Sequence, residues 1–371
     1  MKKLVLITGG AGFIGSHLAD ELLASGYEVR ALDSLVDQVH GDGNRGRPDY
    51  LSPDVELIEG DVCDPAVVRR ALRGVDSVVH FAARVGVGQS MYQIADYATA
   101  NTTGTAVLLE AILDQPVRKL LVASSMSVYG EGAYETVHGE PVSRERMPEQ
   151  LERSEWDLVD ERGRALVPVP TPESKRPALA SVYALTKYDQ ERLCLIFGDA
   201  YGIPTVALRF FNTYGTRQAL SNPYTGVLAI FASRLLNGKP PLVFEDGHQR
   251  RDFVSVSDVA RACRLAIESE RAARHAINVG TGRGVSVLEV AARLGEVLDV
   301  DVEPQVTGQF RAGDIRHCFA DISLARDLLG FEPQVELTRG MAELAEWLEG
   351  QVAEDRVESA AAELAARGLT R

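Results

Sequence analysis

Short apolar runs separated by mixed stretches mark the first two hundred residues of the chain. They are "LVLITG" (4–9), "EVRALD" (28–33), "VELIEGD" (55–61), "DSVVHFAA" (76–83), "KLLVASS" (119–125) and "TVALRFFN" (205–212). Most are near-continuous Val, Leu and Ile, as in parallel strands buried on both faces. Helix-like stretches lie between them. One, "FIGSHLADELLASG" (13–26), ends at a glycine, a frequent helix stop. Strand and helix in alternation predict an α/β fold built on a doubly wound parallel sheet.

Residues 131–180 break this rhythm. They are rich in charges and hold the proline-dense run "VPVPTPESKRP". The plain reading is a tolerated surface insertion; the other is a lid or a partner contact. After residue 212 the pattern is mixed, with a helix expected at "GVLAIFASRLLNG" (226–238) and a strand at "AINVG" (276–280). That strand suggests a chain that builds a smaller C-terminal subdomain and returns to the main sheet. The tail from Gly340 is rich in Ala, Glu and Leu and reads as helix with a solvated charged face.

The chain has 371 residues, of which 45% are apolar, enough for a sizeable core in one large or two medium domains. Its net charge of -14 argues against nonspecific nucleic-acid binding, which needs clustered Lys and Arg. Cys63, Cys194, Cys263 and Cys318 are scattered without metal-ligand spacing, so a reduced, metal-free protein is expected. The apolar run "LVLI" before "TGG" is too short for a signal peptide or a membrane span. A soluble cytoplasmic protein is the expectation.

"LVLITGGAGFIGSHL" sets Gly9, Gly12 and Gly15, with Phe13 and Ile14 between the last two, where a buried strand turns into a helix. The glycines allow a tight turn, close backbone approach to a pyrophosphate, and close packing of helix on strand. The helix N-terminus offers free N–H groups to the phosphates. A plain tight turn would need no such context. Asp33 ends the second strand at the distance where a carboxylate holds both ribose hydroxyls of an adenosine, which favours NAD over NADP. Asp61 and Val62 after the third strand frame the adenine in this reading. Ala82 and Ala83 after the fourth are small enough for the cofactor to lie close.

"SVYALTKYDQERL" carries Tyr183 and Lys187 four apart on an expected helix, so both project from one face. Alone, that is also what a boundary Tyr beside a snorkelling Lys looks like. A free phenol has a pKa near ~10, too high for a base at neutral pH. A nearby ammonium and a positive nicotinamide would stabilise the phenolate. A serine from "ASSMSVYG" would hold the substrate oxygen.

With these motifs the chain resembles, over almost its whole length, the extended short-chain dehydrogenase/reductases that act on nucleotide sugars. The resemblance implies a Rossmann domain over 1–212, with 131–180 as an insertion and 252–280 returning to it. Residues 213–251 and 281–371 then form a nucleotide-sugar-binding subdomain and C-terminal helix. It implies Ser125, Tyr183 and Lys187 as the catalytic triad, Lys187 also on the nicotinamide ribose, and Asn101 of "ATANTTGT" close to cofactor and site. It implies Asn212 of "RFFNTYG", Arg251 and Arg311 on the sugar diphosphate, and Asp314 on the nucleotide ribose. Arg251 also admits a plain ion pair with Asp252 or Asp258. Cys318 aligns with a residue that gates bulk at the sugar's carbon 2, and a homodimer is the family expectation.

In the family's dehydratases Asp-Glu follows the position of Ser125, and its decarboxylases have Glu at the position of Ser127. Here the run is Ser125-Met126-Ser127. Without a second acid–base pair, loss of water has no proton relay. The pattern implied is oxidation and re-reduction at carbon 4 of a dTDP- or UDP-linked hexose. "HFAARVGVGQSMY", "VPVPTPESKRPALASVYALTKYDQERL" and "FRAGDIRHCFADISLARDLLGFEP" resemble the dTDP-L-rhamnose 4-epimerase group. Epimerases acting on UDP-glucose, UDP-glucuronate or N-acetylated sugars, a 4-ketosugar reductase and a non-catalytic nucleotide sensor stay open as alternatives.

Overall fold

The computed structural model describes residues 3–41, 46–219, 226–311, 313–348 and 357–370. Seven parallel strands form the central sheet: β1 (Leu4–Thr8), β2 (Glu28–Asp33), β3 (Glu56–Glu59), β4 (Ser77–His80), β5 (Lys119–Ser125), β6 (Thr205–Phe210) and β7 (Ala276–Val279). Their order is β7-β6-β5-β4-β1-β2-β3. β1 lies between β2 and β4, with Ile7 opposite Ala31 on one side and Val79 on the other. Strand order therefore reverses at β1 and β4, and a crevice opens where their C-terminal ends diverge.

Both faces of the sheet are covered, which is why its strands lack polar alternation. On one face α1 (Phe13–Ala24) and α4 (Val256–Glu268) bring Leu18, Leu22, Val259 and Ile267 onto Val5, Ile7 and Leu121. On the other, α2 (Gly104–Asp114) and α3 (Val182–Tyr201) bring Leu108, Ile112, Cys194 and Phe197 onto Leu6, Val78 and Leu120. A separate core holds the C-terminal part together, where Phe231, Leu235, Val290, Leu294, Met341 and Leu344 meet. The C-terminal tail is helical at Leu337–Leu348 and Val357–Ala366. Residues 349–356, part of the expected tail helix, lie outside the described residues.

Residues 131–180 are more than a surface excursion. Ala133–Glu135 pairs antiparallel with Pro141–Val142 and Val167–Val169, over a small core of Tyr134, Leu158 and Leu166. Backbone bonds tie this sheet to the C-terminal part: Gly132 N–H donates to His317 O at 2.7 Å, and Thr171 N–H to Phe319 O at 2.7 Å. Arg146, 2% exposed, pairs with Glu131 of the same segment and with Glu245 of the C-terminal part, each at 2.7 Å. That buried, partnered charge is what a linear reading of polarity cannot register.

Candidate active site

A cleft of about 550 Å³ runs along the C-terminal ends of β1 to β6. Gly9, Gly12, Phe13, Ile14, Gly15, Asp33, Asp61, Val62, Ala82, Ala83, Ser125, Ser127, Tyr183, Lys187 and Asn212 all line it, so most of the sequence-expected site residues come together in one place.

At one end α1 begins at Gly12 without a side-chain cap, which leaves its first N–H groups for another acceptor. Gly9 has φ +71°, and a Cβ there would meet the backbone N of Ala82 at 2.9 Å. At Gly15 a Cβ would stand 2.2 Å from Gly9 O, so helix and turn can be this close only with glycine. The Asp33 carboxylate accepts from Ala11 N–H at 2.9 Å and Leu35 N–H at 3.0 Å, which fixes it at the strand end with lone pairs to spare. Further along, Asn212 Oδ1 and Gln218 Oε1 are buried and accept no bond from any described residue. An uncapped helix start, a cradle closed to any Cβ, an anchored carboxylate and orphan acceptors fit a dinucleotide lying along the cleft.

The other end is built on β5 and α3. Ser125 ends β5 and caps the 3-10 turn Met126–Tyr129; its Oγ accepts from Ser127 N–H at 3.2 Å and from Ser127 Oγ at 2.9 Å. Helix α3 starts at Ser181, whose hydroxyl accepts from Ala184 N–H, and so carries Tyr183 and Lys187 one turn apart toward Ser125. Tyr183 is hydrogen-bonded to Ser125, and its ring packs edge-on against Tyr97 at 6.5 Å. Burial raises the Tyr183 phenol above its ordinary value, opposed by the Ser125 bond. The sequence predicted the opposite direction from the nearby ammonium. Among the chain's own groups burial decides the direction, and burial also lowers Lys187 to about 8.

Five expected residues stand elsewhere or do something different. Asn101 lies in a π-helical turn, Ala98–Thr103, and is fully buried. Its Oδ1 accepts from Arg84 N–H at 2.7 Å, and its Nδ2 donates to Arg84 O at 3.1 Å and Thr186 Oγ1 at 2.9 Å. It braces the loop after β4 against α3 from outside the cleft lining. Arg251 is paired neither with Asp252 nor with Asp258. It donates to Asp314 Oδ1 at 2.9 Å and to the carbonyls of Arg250, Ile315 and Arg316, so its guanidinium is already engaged. Arg311 bonds the other oxygen of Asp314 at 2.8 Å and stacks on Phe244. Burial alone would raise the Asp314 carboxyl, but Arg311 and Arg251 outweigh it and hold it below the usual carboxylate range. Cys318 packs with Met126, Val128 and Phe211 behind the site, and lines neither this cleft nor its neighbour.

Asp314 lines a second cavity of about 500 Å³, walled by Arg146 and Leu151 of the insertion, by Ala178–Ala180 and by Phe310. The two cavities are neighbours, since a Cβ on Gly313 of the second would lie 4.0 Å from Val87 of the first.

The sequence matches the NAD dependent epimerase/dehydratase family over residues 5–149 and 166–280, well over half the chain. The chain belongs to that family. The stretch left unmatched between those two segments falls within the insertion. Among relatives of this epimerase/dehydratase, the dTDP-L-rhamnose 4-epimerase of Burkholderia thailandensis is 37% identical over 352 residues, 93% of this chain and 95% of the relative. The UDP-glucose 4-epimerase of Thermotoga maritima, solved with UDP-glucose, superposes with a TM-score of 0.76 at 32% identity, covering 93% of this chain and 98% of that one. That of Thermus thermophilus, solved with NAD, gives 0.75 at 31% identity over 94% and 100%.

The linear reading missed a layer of buried polar groups behind the site. Glu191 accepts from Ser124 Oγ at 2.6 Å and from Arg209 at 2.9 and 2.6 Å, anchoring α3 to β5 and β6. Gln190, one residue earlier, bonds Lys187. Its spacing of three from Lys187 was visible; its partners on β4 and α2 were not.

Proposed function

We propose that this epimerase/dehydratase is a nucleotide-sugar 4-epimerase that inverts carbon 4 of a dTDP-6-deoxyhexose, dTDP-L-rhamnose to dTDP-6-deoxy-L-talose. The observation that carries the reaction type is where the acids stand. The only carboxylates among the described residues lining the cleft are Asp33 and Asp61, at the β2 and β3 end. The Ser125–Tyr183–Lys187 end has hydroxyls and an ammonium, but no acid to protonate a neighbouring carbon or a leaving hydroxyl. Such a set can move one proton on and off one sugar oxygen. That suffices for oxidation and re-reduction and leaves elimination without a relay.

Gly9 to Gly15 would hold the pyrophosphate of NAD, Asp33 the adenosine ribose, Asp61 and Val62 the adenine, and Lys187 the nicotinamide ribose. Ala82 and Ala83 give the cofactor room. Bound NAD supplies a hydride acceptor and donor and, when oxidised, a positive charge beside the phenol. Tyr183 Oη takes the carbon-4 hydroxyl proton and later returns it, while Ser125 Oγ, steadied by Ser127, holds the same oxygen. Asn212 would donate from its amide nitrogen to the sugar diphosphate. Arg311 and Asp314 hold the nucleotide end, and Arg251 acts there through Asp314. We read the protein as a cytoplasmic homodimer; among the described residues no helix is long and apolar enough to cross a membrane.

The dTDP-sugar assignment is supported by the 37% identical Burkholderia relative. The second reading is a UDP-hexose 4-epimerase, favoured by the superposition on the Thermotoga enzyme. Proton NMR of dTDP-L-rhamnose incubated with purified protein and no added nicotinamide separates them. New ring signals from the 4-epimer, absent with Tyr183→Phe, are expected. An unchanged spectrum from NAD-loaded protein, with turnover of UDP-glucose instead, overturns the dTDP assignment. Turnover only with stoichiometric NADH overturns the epimerase reading.

A further inference from the structure

Behind Lys187 a line of buried polar groups runs down into the sheet, and it fixes the orientation of the Gln190 amide. His80 is fully buried, and burial, followed by the Lys187 charge, lowers it to about 3, so it is a neutral ring. Its Nδ1 lies 2.7 Å from Thr8 Oγ1, and its Nε2 lies 2.9 Å from Thr105 Oγ1 and 3.1 Å from Gln190 Nε2. Thr105 passes its own proton to Asn101 O at 2.5 Å, and therefore accepts from Gln190 Nε2 at 2.9 Å. The second Gln190 amide proton points to Ala82 O at 3.3 Å. That leaves Gln190 Oε1 facing Lys187 Nζ at 2.7 Å. Reversing the amide would set two donors against each other at Lys187 and two acceptors at Ala82 O, so the network permits a single orientation.

We propose that Gln190 is the positioning residue for the site's lysine: it holds one N–H of the Lys187 ammonium and directs the other two into the cleft. This rests on the reading of Tyr183 and Lys187 as the reacting pair. Lys187 has three donors, and a flexible four-carbon stem with no fixed acceptor would leave their directions free. Gln190, held by helix α2 through Thr105 and by the Ala82 carbonyl after β4, supplies that acceptor. The titratable groups that act with Lys187 are His80 from β4, and Glu191 and Cys194 from its own helix. Glu191 is already bonded to Ser124 and Arg209, and His80 is neutral, so Gln190 is the group through which the ammonium can be adjusted without disturbing an ion pair.

Two variants test this in opposite directions. Gln190→Met keeps the reach and removes the acceptor, which lowers the Lys187 pKa and moves the alkaline limb of the pH–rate profile to lower pH. The displacement expected is about one pH unit, the size of one hydrogen bond to a charged group. kcat falls at least about tenfold, with KM for the nucleotide sugar within about twofold, because the loss is in proton transfer. Gln190→Glu restores an acceptor with a charge and moves the same limb to higher pH. A merely structural role cannot displace it both ways. Independently of any substrate, the Lys187 pKa read from the carbon-13 NMR signal of its Cε in NAD-loaded protein, assigned with Lys187→Arg, shifts down by about one unit in Gln190→Met and up in Gln190→Glu. Unmoved limbs and an unmoved Lys187 titration in folded, NAD-loaded variants overturn the proposal. If Gln190→Met does not fold, Gln190→Glu decides alone. Failure of the wild type to turn over any nucleotide sugar overturns the function instead, and the Lys187 titration still decides on Gln190.

Discussion

Arg146 is the test of whether the insertion is structural. Its side chain is 2% exposed and serves two buried carboxylates, Glu131 and Glu245, while its Nη2 donates to Asp314 O at 3.1 Å. In Arg146→Met the two acids fare differently. Glu131 keeps Arg316 N–H at 2.8 Å, His317 N–H at 3.3 Å and the Tyr134 hydroxyl at 3.1 Å. Glu245 keeps Arg316 Nη1 at 3.2 Å, and burial already raises its pKa. One stranded carboxylate is thus expected, and breaking a buried pair from one side costs about 3–5 kcal/mol. The surviving Arg316 contact places this case at the lower end, about 3 kcal/mol. Adding Glu245→Gln removes the stranded charge and recovers at least about 1.5 kcal/mol, so the double variant is more stable than Arg146→Met alone. Chemical denaturation of wild type, both single variants and the double at pH 7 measures this, and KM for the sugar nucleotide rises with the freed Asp314 loop. A loss below about 1 kcal/mol, the range of an exposed pair, with no recovery in the double variant, would refute the reasoning.

Gly15→Ala places a Cβ 2.2 Å from Gly9 O and 2.8 Å from Gly10 Cα, both backbone, so relief requires moving α1 off the turn. Overpacking of this kind costs about 1–3 kcal/mol, and NAD released on denaturation falls to a small fraction of wild type; full NAD content would sink the close-packing argument. Stability should also drop on mild acidification. Burial lowers His80 and His317 to about 3, so the native state leaves both neutral while the unfolded chain protonates them near 6.5. Below that value the unfolded state binds more protons, and stability is lost progressively from pH 7 toward pH 3, by about 2 kcal/mol per histidine between pH 7 and 5. Denaturation at the two pH values in wild type and His80→Gln checks this; an identical pH dependence in both would contradict it.

What was legible in the chain, and what was not, divides along one physical line. β1, β2, β5 and β6 were readable because a strand buried on both faces needs an apolar run in its own segment, whatever it packs against. The glycine turn was readable for the same reason, since a closed cradle constrains the residues that form it. Tyr183 and Lys187 share one helix face, so their joint projection follows from helical spacing alone. Identity of a partner is different in kind. Arg251 has acids beside it in sequence at Asp252 and Asp258, yet its carboxylate is Asp314, brought in from much later in the chain. Asp252 is instead used by Thr281, Gly282 and Ala320, and Asp258 by Arg261, Gln334 and Val335. Asn101 is spent on Arg84 and Thr186 from a π-helical turn, and nothing local in "ATANTTGT" names those partners. The same holds for the pKa of Tyr183. Its neighbours were nameable from spacing, but the sign of the shift is set by how much of the sheet and of α3 closes over the ring. Polar residues in a linear reading carry only their chemistry; whether that chemistry is spent on protein or left for a ligand is decided by elements far away in the chain. Asn212 and Gln218, with acceptors that no described residue answers, are where the structure leaves it for a ligand.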